Sequence, residues 1–394
     1  MFTKKTLPFA LAILLLASCK KDKNAPHRED PPPPPQNDIA AIDQKATQWM
    51  TQNNMPGLSI AISKDGKLVY TKAYGVSDKE NNTPLTTDSE FRIASVSKLI
   101  TSVAVMKLVQ DGKISMDQKV FGSGGILGTT YGTQPYKQYV TDITLSHLLH
   151  HTAGGWGQNN DPAFTNPALN ATEVINNTLN NVLLTSAPGT AFNYSNFGYM
   201  LLEKIIEKAS GKSYVNYVND EIWKKVGAKQ SGIASTSLAG RTQKEVKYYA
   251  QGSDVNLVYD YTSFQRAAGA FGWRSTPKDL LLFATAVDSS NTRPDILSLA
   301  TIKTMVTTTP ASTGFGGMEF GCGWVIENAE WYWWGSLPGT FAMLYRNKNG
   351  ICVAATANSR RQPTPENALY SFINVINTAA FDNTIPWQNI DQFN

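Results

Sequence analysis

Ser95 and Lys98 stand three residues apart in the run Phe91-Arg92-Ile93-Ala94-Ser95-Val96-Ser97-Lys98. That spacing stacks both side chains on one face of a helix, about one turn apart. A serine hydroxyl becomes a useful nucleophile when a neighbouring base takes its proton, and a lysine can be that base when burial keeps its amine neutral. Residues 99–109 are apolar nearly all round, the pattern of a helix buried inside a protein. A serine at the start of such a helix has the positive end of the dipole beneath any developing oxyanion. Taken alone, Ser-x-x-Lys is common and ordinarily means a helix cap and a solvated charge. Two further stretches give it company. Tyr194 and Asn196 lie two apart in Pro188-Gly189-Thr190-Ala191-Phe192-Asn193-Tyr194-Ser195-Asn196, directly before a helical pattern at 198–208 that stops at Ser210-Gly211. A tyrosine beside a neutral lysine can share proton transfer, and an asparagine can hold both the lysine and a substrate carbonyl. Farther on, Trp333-Trp334-Gly335-Ser336-Leu337-Pro338-Gly339-Thr340 reads as the end of a strand turning into the next.

Three such elements in this order resemble the serine β-lactamase and penicillin-binding-protein-like hydrolases of the class C type. The resemblance covers 40–381. It extends to Tyr74-Gly75, Leu148-Leu149-His150-His151-Thr152-Ala153-Gly154-Gly155, Ala268-Gly269-Ala270 and Ser275-Thr276-Pro277-Lys278-Asp279-Leu280. It implies that Ser95 is the acylated nucleophile, Lys98 its base, and Tyr194 the shuttle that protonates the leaving group and activates water. Asn196 is similar to the family's third polar residue and would bind substrate together with Trp333, Trp334 and Gly335. The oxyanion hole would be the backbone N–H groups of Ser95 and Ser336. No cofactor or metal is implied.

The third motif departs from the family, which writes Lys-Thr-Gly or His-x-Gly where this chain has Trp333-Trp334-Gly335. The basic residue holds the carboxylate of a β-lactam or of a peptide ending in D-alanine, and an indole offers one N–H and no charge. A charge-assisted contact is worth about 1.5–3 kcal/mol, so its loss weakens such substrates by roughly one to two orders of magnitude. Some esterases resembling class C enzymes also carry tryptophan there. The expected activity is therefore esterase-like, on uncharged acyl substrates. D-alanyl-D-alanine carboxypeptidase or β-lactamase activity is the alternative, and Arg346, Arg360 and Arg361 are candidates to replace the charge. A reading of another class is a non-catalytic wall-binding lipoprotein, against which the intact Ser95, Lys98, Tyr194 and Asn196 weigh.

The chain opens with the basic Met1-Phe2-Thr3-Lys4-Lys5 and an apolar run at 7–17 too short to span a bilayer. Leu16-Ala17-Ser18-Cys19 resembles a bacterial lipobox, so 1–18 reads as a lipoprotein signal peptide and Cys19 as the lipidated N-terminus; a plain secretory signal is the competing reading. Lys20 follows, with no aspartate to suggest inner-membrane retention, which favours the outer membrane. Residues 19–37 contain Pro31 to Pro35 and read as a stiff tether, or as disordered chain with no specific partner. The formal charge is +4, falling to +2 without Lys4 and Lys5, which gives no support for nucleic-acid binding. With Cys19 lipidated, Cys322 and Cys352 remain, expected as buried free thiols.

Strand patterns at 57–63 and 67–74 meet at Asp65-Gly66 as a hairpin. Four more lie at 323–327, 331–334, 341–346 and 351–357, the last two joined at Asn349-Gly350, and a helix follows at 366–380. Strands at both ends with helices between them imply an α/β (α+β) fold. In it an antiparallel sheet from both chain ends (38–111 and 305–381) is flanked by helices and carries an inserted helical lobe (112–304), with a tail at 382–394. Serine nucleophile and lobe boundary would coincide. His147, His150 and His151 have no acidic or thiol partner at ligand spacing and read as a structural loop rather than a metal site. Gly122-Ser123-Gly124-Gly125 lacks the Lys-Ser/Thr of a phosphate cradle and reads as a loop.

Overall fold

The computed structural model describes residues 38–290 and 292–393. The expected signal peptide, Cys19 and the proline tether lie outside the described residues. Nine strands form the main sheet: β1 (Gly57–Lys64), β2 (Lys67–Asp78), β3 (Thr83–Pro84), β4 (Thr313–Gly314), β5 (Met318–Phe320), β6 (Val325–Glu327), β7 (Glu330–Leu337), β8 (Thr340–Arg346) and β9 (Ile351–Ala357). Their order across the sheet is β3-β2-β1-β9-β8-β7-β6-β5-β4, so the N-terminal strands join the C-terminal ones through the antiparallel β1–β9 pair. A three-stranded sheet joins Phe91–Arg92, just before the nucleophile, to Trp273–Ser275 and Gly232–Ile233 of the inserted segment.

Alternation along the strands sorts the two faces. Phe341, Met343 and Tyr345 of β8, with Val353 and Ala355 of β9, pack with α1 (Ala40–Asn53) and the C-terminal helix Pro365–Phe381. Ala342, Leu344, Cys352 and Ala354 face the other way into the larger core. That core is built around α2 (Ser97–Gln110), whose Leu99, Ile100, Val103, Ala104, Val105, Met106 and Leu108 are all buried. The apolar run at 99–109 therefore sits where its pattern requires, with core on every side.

The two hairpins fall at their expected turns. Asp65 (φ 50°) and Gly66 (φ 73°) take the left-handed conformations of a tight two-residue turn. One strand is shorter than its sequence pattern: 323–327 pairs only at Val325–Glu327. Gly323 has φ 79°, and a Cβ there would come within 2.7 Å of Ser102 Oγ and Tyr199 Oη, so the chain bends tightly against the helices. Cys322 lies in that bend rather than in a strand, and it and Cys352 are buried free thiols. The tail packs back on β2, where Gln392 N–H donates to Leu68 O (2.9 Å) and Leu68 N–H to Asp391 Oδ1 (3.1 Å).

Candidate active site

Ser95 sits at a turn from strand to helix. The strand Phe91–Arg92 ends, Ala94 takes φ 45°, and a single 3-10 turn, Ala94–Val96, leads into α2. A positive φ on alanine costs of order 1 kcal/mol or more and persists only where neighbours over-determine it. Here Thr340 Oγ1 donates to Arg92 O (2.7 Å) and Ile93 N–H to Trp273 O (3.0 Å). The Arg92 guanidinium is buried, donates to Val258 O (2.6 Å) and Ser235 O (2.7 Å), and lies over the Tyr248 and Phe264 rings.

One turn on, Lys98 is fully buried, and its Nζ lies within hydrogen-bond reach of three oxygens: Asn196 Oδ1 at 2.7 Å, Ala270 O at 2.9 Å and Ser95 Oγ at 3.2 Å. Burial pulls its pKa from 10.5 down to about 7, against the opposing pull of the Asp161 carboxylate. Asn196 opens α3 (Asn196–Ser210), whose cap is Ser195, so the helix begins two residues before its periodic pattern does. Ser195 Oγ accepts from Gly198 N–H (2.8 Å) and donates to Trp156 O (2.6 Å).

Asp161 is a residue that the motifs do not reveal. Its carboxylate accepts from the backbone N–H groups of Asn196, Phe197 and Ala163, and from Asn196 Nδ2 at 3.1 Å. It thereby turns the Asn196 amide so that Oδ1 faces Lys98. Burial raises its own pKa to about 6. The Ala270 carbonyl was equally hidden, because a backbone acceptor leaves no side-chain signature. The Ala268-Gly269-Ala270 stretch was nevertheless legible as a motif.

Tyr194 is half-buried. Its ring lies 4.9 Å from Lys98 Nζ and packs on the His151 ring at 4.4 Å. Burial pushes its pKa well above the ordinary value, while hydrogen bonds with Ser95 and Trp333 pull the other way. His151 is held neutral by burial, and its Nδ1 accepts from Ser195 N–H (3.1 Å). Thr144 caps the short helix Leu145–Leu149 and its N–H donates to His147 Nδ1 (3.1 Å), while His150 reaches Thr307 O at 3.1 Å, so both rings serve local structure. Among the described residues no three His, Cys, Asp or Glu side chains gather as a metal site.

Trp333 faces the cleft as its register demands, and its Nε1 donates to Tyr194 Oη at 3.3 Å. Its ring packs among Phe315, Phe320 and Trp334. Trp331 and Trp333 are buried while Tyr332 and Trp334 on the opposite face of β7 are half-buried. Gly335 brings β7 hard against the nucleophile turn: a Cβ there would stand 2.1 Å from Ile93 O and 2.9 Å from Ser95 N. The structure thus brings Ser95, Lys98, Tyr194, Asn196, Trp333 and Gly335 together, with Trp334 and Ser336 beside them on β7. It does not bring the three arginines. Arg346 is bound to Asp288 O (2.9 Å) over the Trp331 ring, Arg360 pairs with both Asp254 oxygens (2.6 and 2.7 Å), and Arg361 reaches Asn53 Oδ1 (3.3 Å).

Residues 42–377 match the Beta-lactamase family. The chain belongs to that family. It falls within the β-lactamase and transpeptidase-like superfamily. Protein flp of Staphylococcus aureus (strain MW2) is 29% identical over 220 residues, which is 54% of this chain and 41% of that protein. Penicillin-binding protein 4* of Bacillus subtilis (strain 168) is 25% identical over 291 residues, covering 69% and 60%. The chain therefore spans about half the length of these relatives. Among solved structures, the octameric penicillin-binding protein homologue from Pyrococcus abyssi superposes with a TM-score of 0.71 at 25% identity, over 86% of this chain and 77% of that one. The mixed α/β fold and its large antiparallel sheet are those of the family.

Proposed function

We propose that the protein hydrolyses small uncharged esters through an acyl-enzyme on Ser95, and that a lipid on Cys19 holds it at the bacterial envelope, the outer membrane being favoured. The observation that carries the chemistry is the set of partners around Lys98 Nζ. A neutral amine has two N–H bonds and one lone pair. Asn196 Oδ1 (2.7 Å) and Ala270 O (2.9 Å) take the two N–H bonds, which leaves the lone pair for the Ser95 hydroxyl at 3.2 Å. Ser95 Oγ attacks the ester carbonyl carbon as its proton passes to Lys98 Nζ. The displaced electron pair of the carbonyl moves to its oxygen, which the N–H groups of Ser95 and Ser336 receive. When the tetrahedral intermediate collapses, the leaving alkoxide takes a proton from Tyr194, whose elevated pKa keeps it protonated, and Lys98 replenishes it. Water then follows the same route in reverse order to free Ser95.

Trp333 supports the choice of substrate. It puts an indole N–H and an apolar ring beside Tyr194 where a carboxylate-binding relative has a cation, and Arg346, Arg360 and Arg361 are engaged elsewhere. A non-catalytic wall-binding role gains nothing from a buried lysine held near pKa 7, a costly group outside a catalytic setting. The envelope placement rests on Leu16-Ala17-Ser18-Cys19 and the tether after it.

The test is a panel of short p-nitrophenyl esters, a chromogenic cephalosporin and a D-alanyl-D-alanine peptide, compared by kcat/KM. Esters should lead. A cephalosporin or D-alanyl peptide turned over faster than any ester would replace this reading with the lactamase or carboxypeptidase one. No turnover and no acylation of any of them would favour the wall-binding role.

A further inference from the structure

Glu203 is a carboxylate in a place that ordinarily holds an apolar side chain. It lies on α3 two turns beyond Asn196, among Leu201, Leu202, Ile205 and Ile206, and is 4% exposed. Burying a carboxylate costs free energy unless its oxygens are used. Both are: Oε2 accepts from Gly269 N–H (3.1 Å), and Oε1 from Lys204 Nζ (3.2 Å), which also binds Glu207 (2.9 Å). Burial lifts the Glu203 pKa to about 7.

Gly269 is gripped from its other side as well. Thr101 Oγ1, one turn past Lys98 on α2, donates to Gly269 O (2.7 Å) and lies 2.7 Å from Tyr214 Oη, which in turn accepts from Trp273 Nε1 (2.8 Å). A Cβ at Gly269 would stand 2.9 Å from Tyr199 O and 3.3 Å from Glu203 Cβ, so the turn lies directly against α3. The next residue in the turn is Ala270, whose carbonyl takes one of the two N–H bonds of Lys98.

We infer that Glu203 is a positioning residue for Lys98: it fixes the Gly269–Ala270 turn so that the Ala270 carbonyl orients the Lys98 lone pair toward Ser95. The inference rests on the reading of Lys98 as the base for Ser95. Glu203 touches neither Lys98 nor Ser95, and acts through one backbone amide and the carbonyl that follows it. Without its oxygen Gly269 keeps its Thr101 contact and the turn its internal bonds from Ala270 and Phe271 N–H to Ala267 O, but the amide next to Ala270 loses its tie to α3, and the Ala270 carbonyl shifts relative to Lys98.

The test compares Glu203→Leu, Glu203→Gln and Lys98→Ala in the full chain, by the pH profile of kcat/KM on a short ester and by thermal unfolding. Around Lys98 the titratable groups are Asp161, Tyr194, Tyr199 and His151, and around Glu203 they are Lys204, Glu207, Tyr131 and Tyr214; all are retained in the Glu203 variants. Glu203→Leu should lower the plateau about tenfold, the worth of one charge-assisted hydrogen bond. It should also move the rising limb to lower pH, because the Lys98 ammonium loses an acceptor that favours it. Glu203→Gln keeps an acceptor for Gly269 N–H and should stay within about threefold with the limb unmoved. If Glu203→Leu does not fold, Thr101→Val removes the opposite grip on Gly269 and should act in the same direction. A Glu203→Leu enzyme with plateau and limb unchanged, or with lower thermal stability and an unmoved limb, overturns the inference. If Lys98→Ala acylates like the wild type, the assignment of the base fails first; if Lys98→Ala is inactive while Glu203→Leu is unaffected, only the role of Glu203 fails.

Discussion

Acylation should follow the neutral fraction of Lys98, and the pH profile has a shape set by two buried groups. Burial brings Lys98 from 10.5 to about 7, so kcat/KM for a short ester should rise with pH, reach half its maximum near pH 7, and stay flat above about pH 8. One unit below the midpoint only about a tenth of the amine is neutral, and the rate should fall roughly tenfold. Asp161 titrates at about 6, and its carboxylate is what raises the Lys98 pKa. Once it is protonated, the ammonium loses that support and gives up its proton more readily. Below about pH 6 the profile should therefore fall by less than tenfold per unit, as coupled groups do. Asp161→Asn removes the charge and keeps an acceptor for the start of α3, so its limb should shift to lower pH and lose the change of slope. Tyr194, raised by burial, stays protonated throughout and adds no descending limb at neutral pH. The assay is initial-rate kcat/KM from about pH 5 to 9, read at a wavelength where the released phenol has the same absorbance in both forms. A profile flat over that range, or one rising only above about pH 9, would refute a neutral Lys98 as the base.

Further expectations concern the strand beside the nucleophile and the leader. Trp333→Lys should raise the ratio of kcat/KM on a carboxylate-bearing cephalosporin to that on an ester about tenfold, the effect of one contact of about 1.5 kcal/mol; an unchanged ratio would separate Trp333 from specificity. Gly335→Ala should cost at least a hundredfold in acylation, since its Cβ would lie 2.1 Å from Ile93 O and displace β7 from the Ser95 amide; near-normal rates would remove β7 from the oxyanion site. Cys19→Ala should abolish incorporation of a clickable fatty acid and change partitioning with envelope membranes; identical behaviour of both proteins would make the leader an ordinary signal or an uncleaved anchor.

Local chemistry explains what the sequence discloses. Asp65-Gly66 and Asn349-Gly350 mark their turns because the turn needs positive φ, which Asp65 (50°), Gly66 (73°) and Gly350 (78°) adopt. The buried helix shows itself by a stretch at 99–109 that is apolar nearly all round, and Ser95, Lys98, Tyr194 and Asn196 by spacing that survives in one dimension. Asp161 is invisible on these terms. It lies 35 residues from Asn196, in a stretch that reads as loop, and works through backbone N–H groups. The Ala270 carbonyl has no side chain to read. Glu203 looks like the polar side of an amphipathic helix, and only the packed structure puts it against Gly269. The arginines show the converse. Their place in the sequence suggested the site, yet Arg360 is spent on Asp254, a partner 106 residues away that no local pattern announces.

The central claim is that Ser95 forms a covalent acyl-enzyme, and the most direct measurement is intact-mass and peptide-mapping mass spectrometry after reaction with a fluorophosphonate. The wild-type protein should gain one adduct, mapped to Ser95, and Ser95→Ala should gain none and turn over no ester. An adduct on another residue, or full labelling of Ser95→Ala, would contradict it.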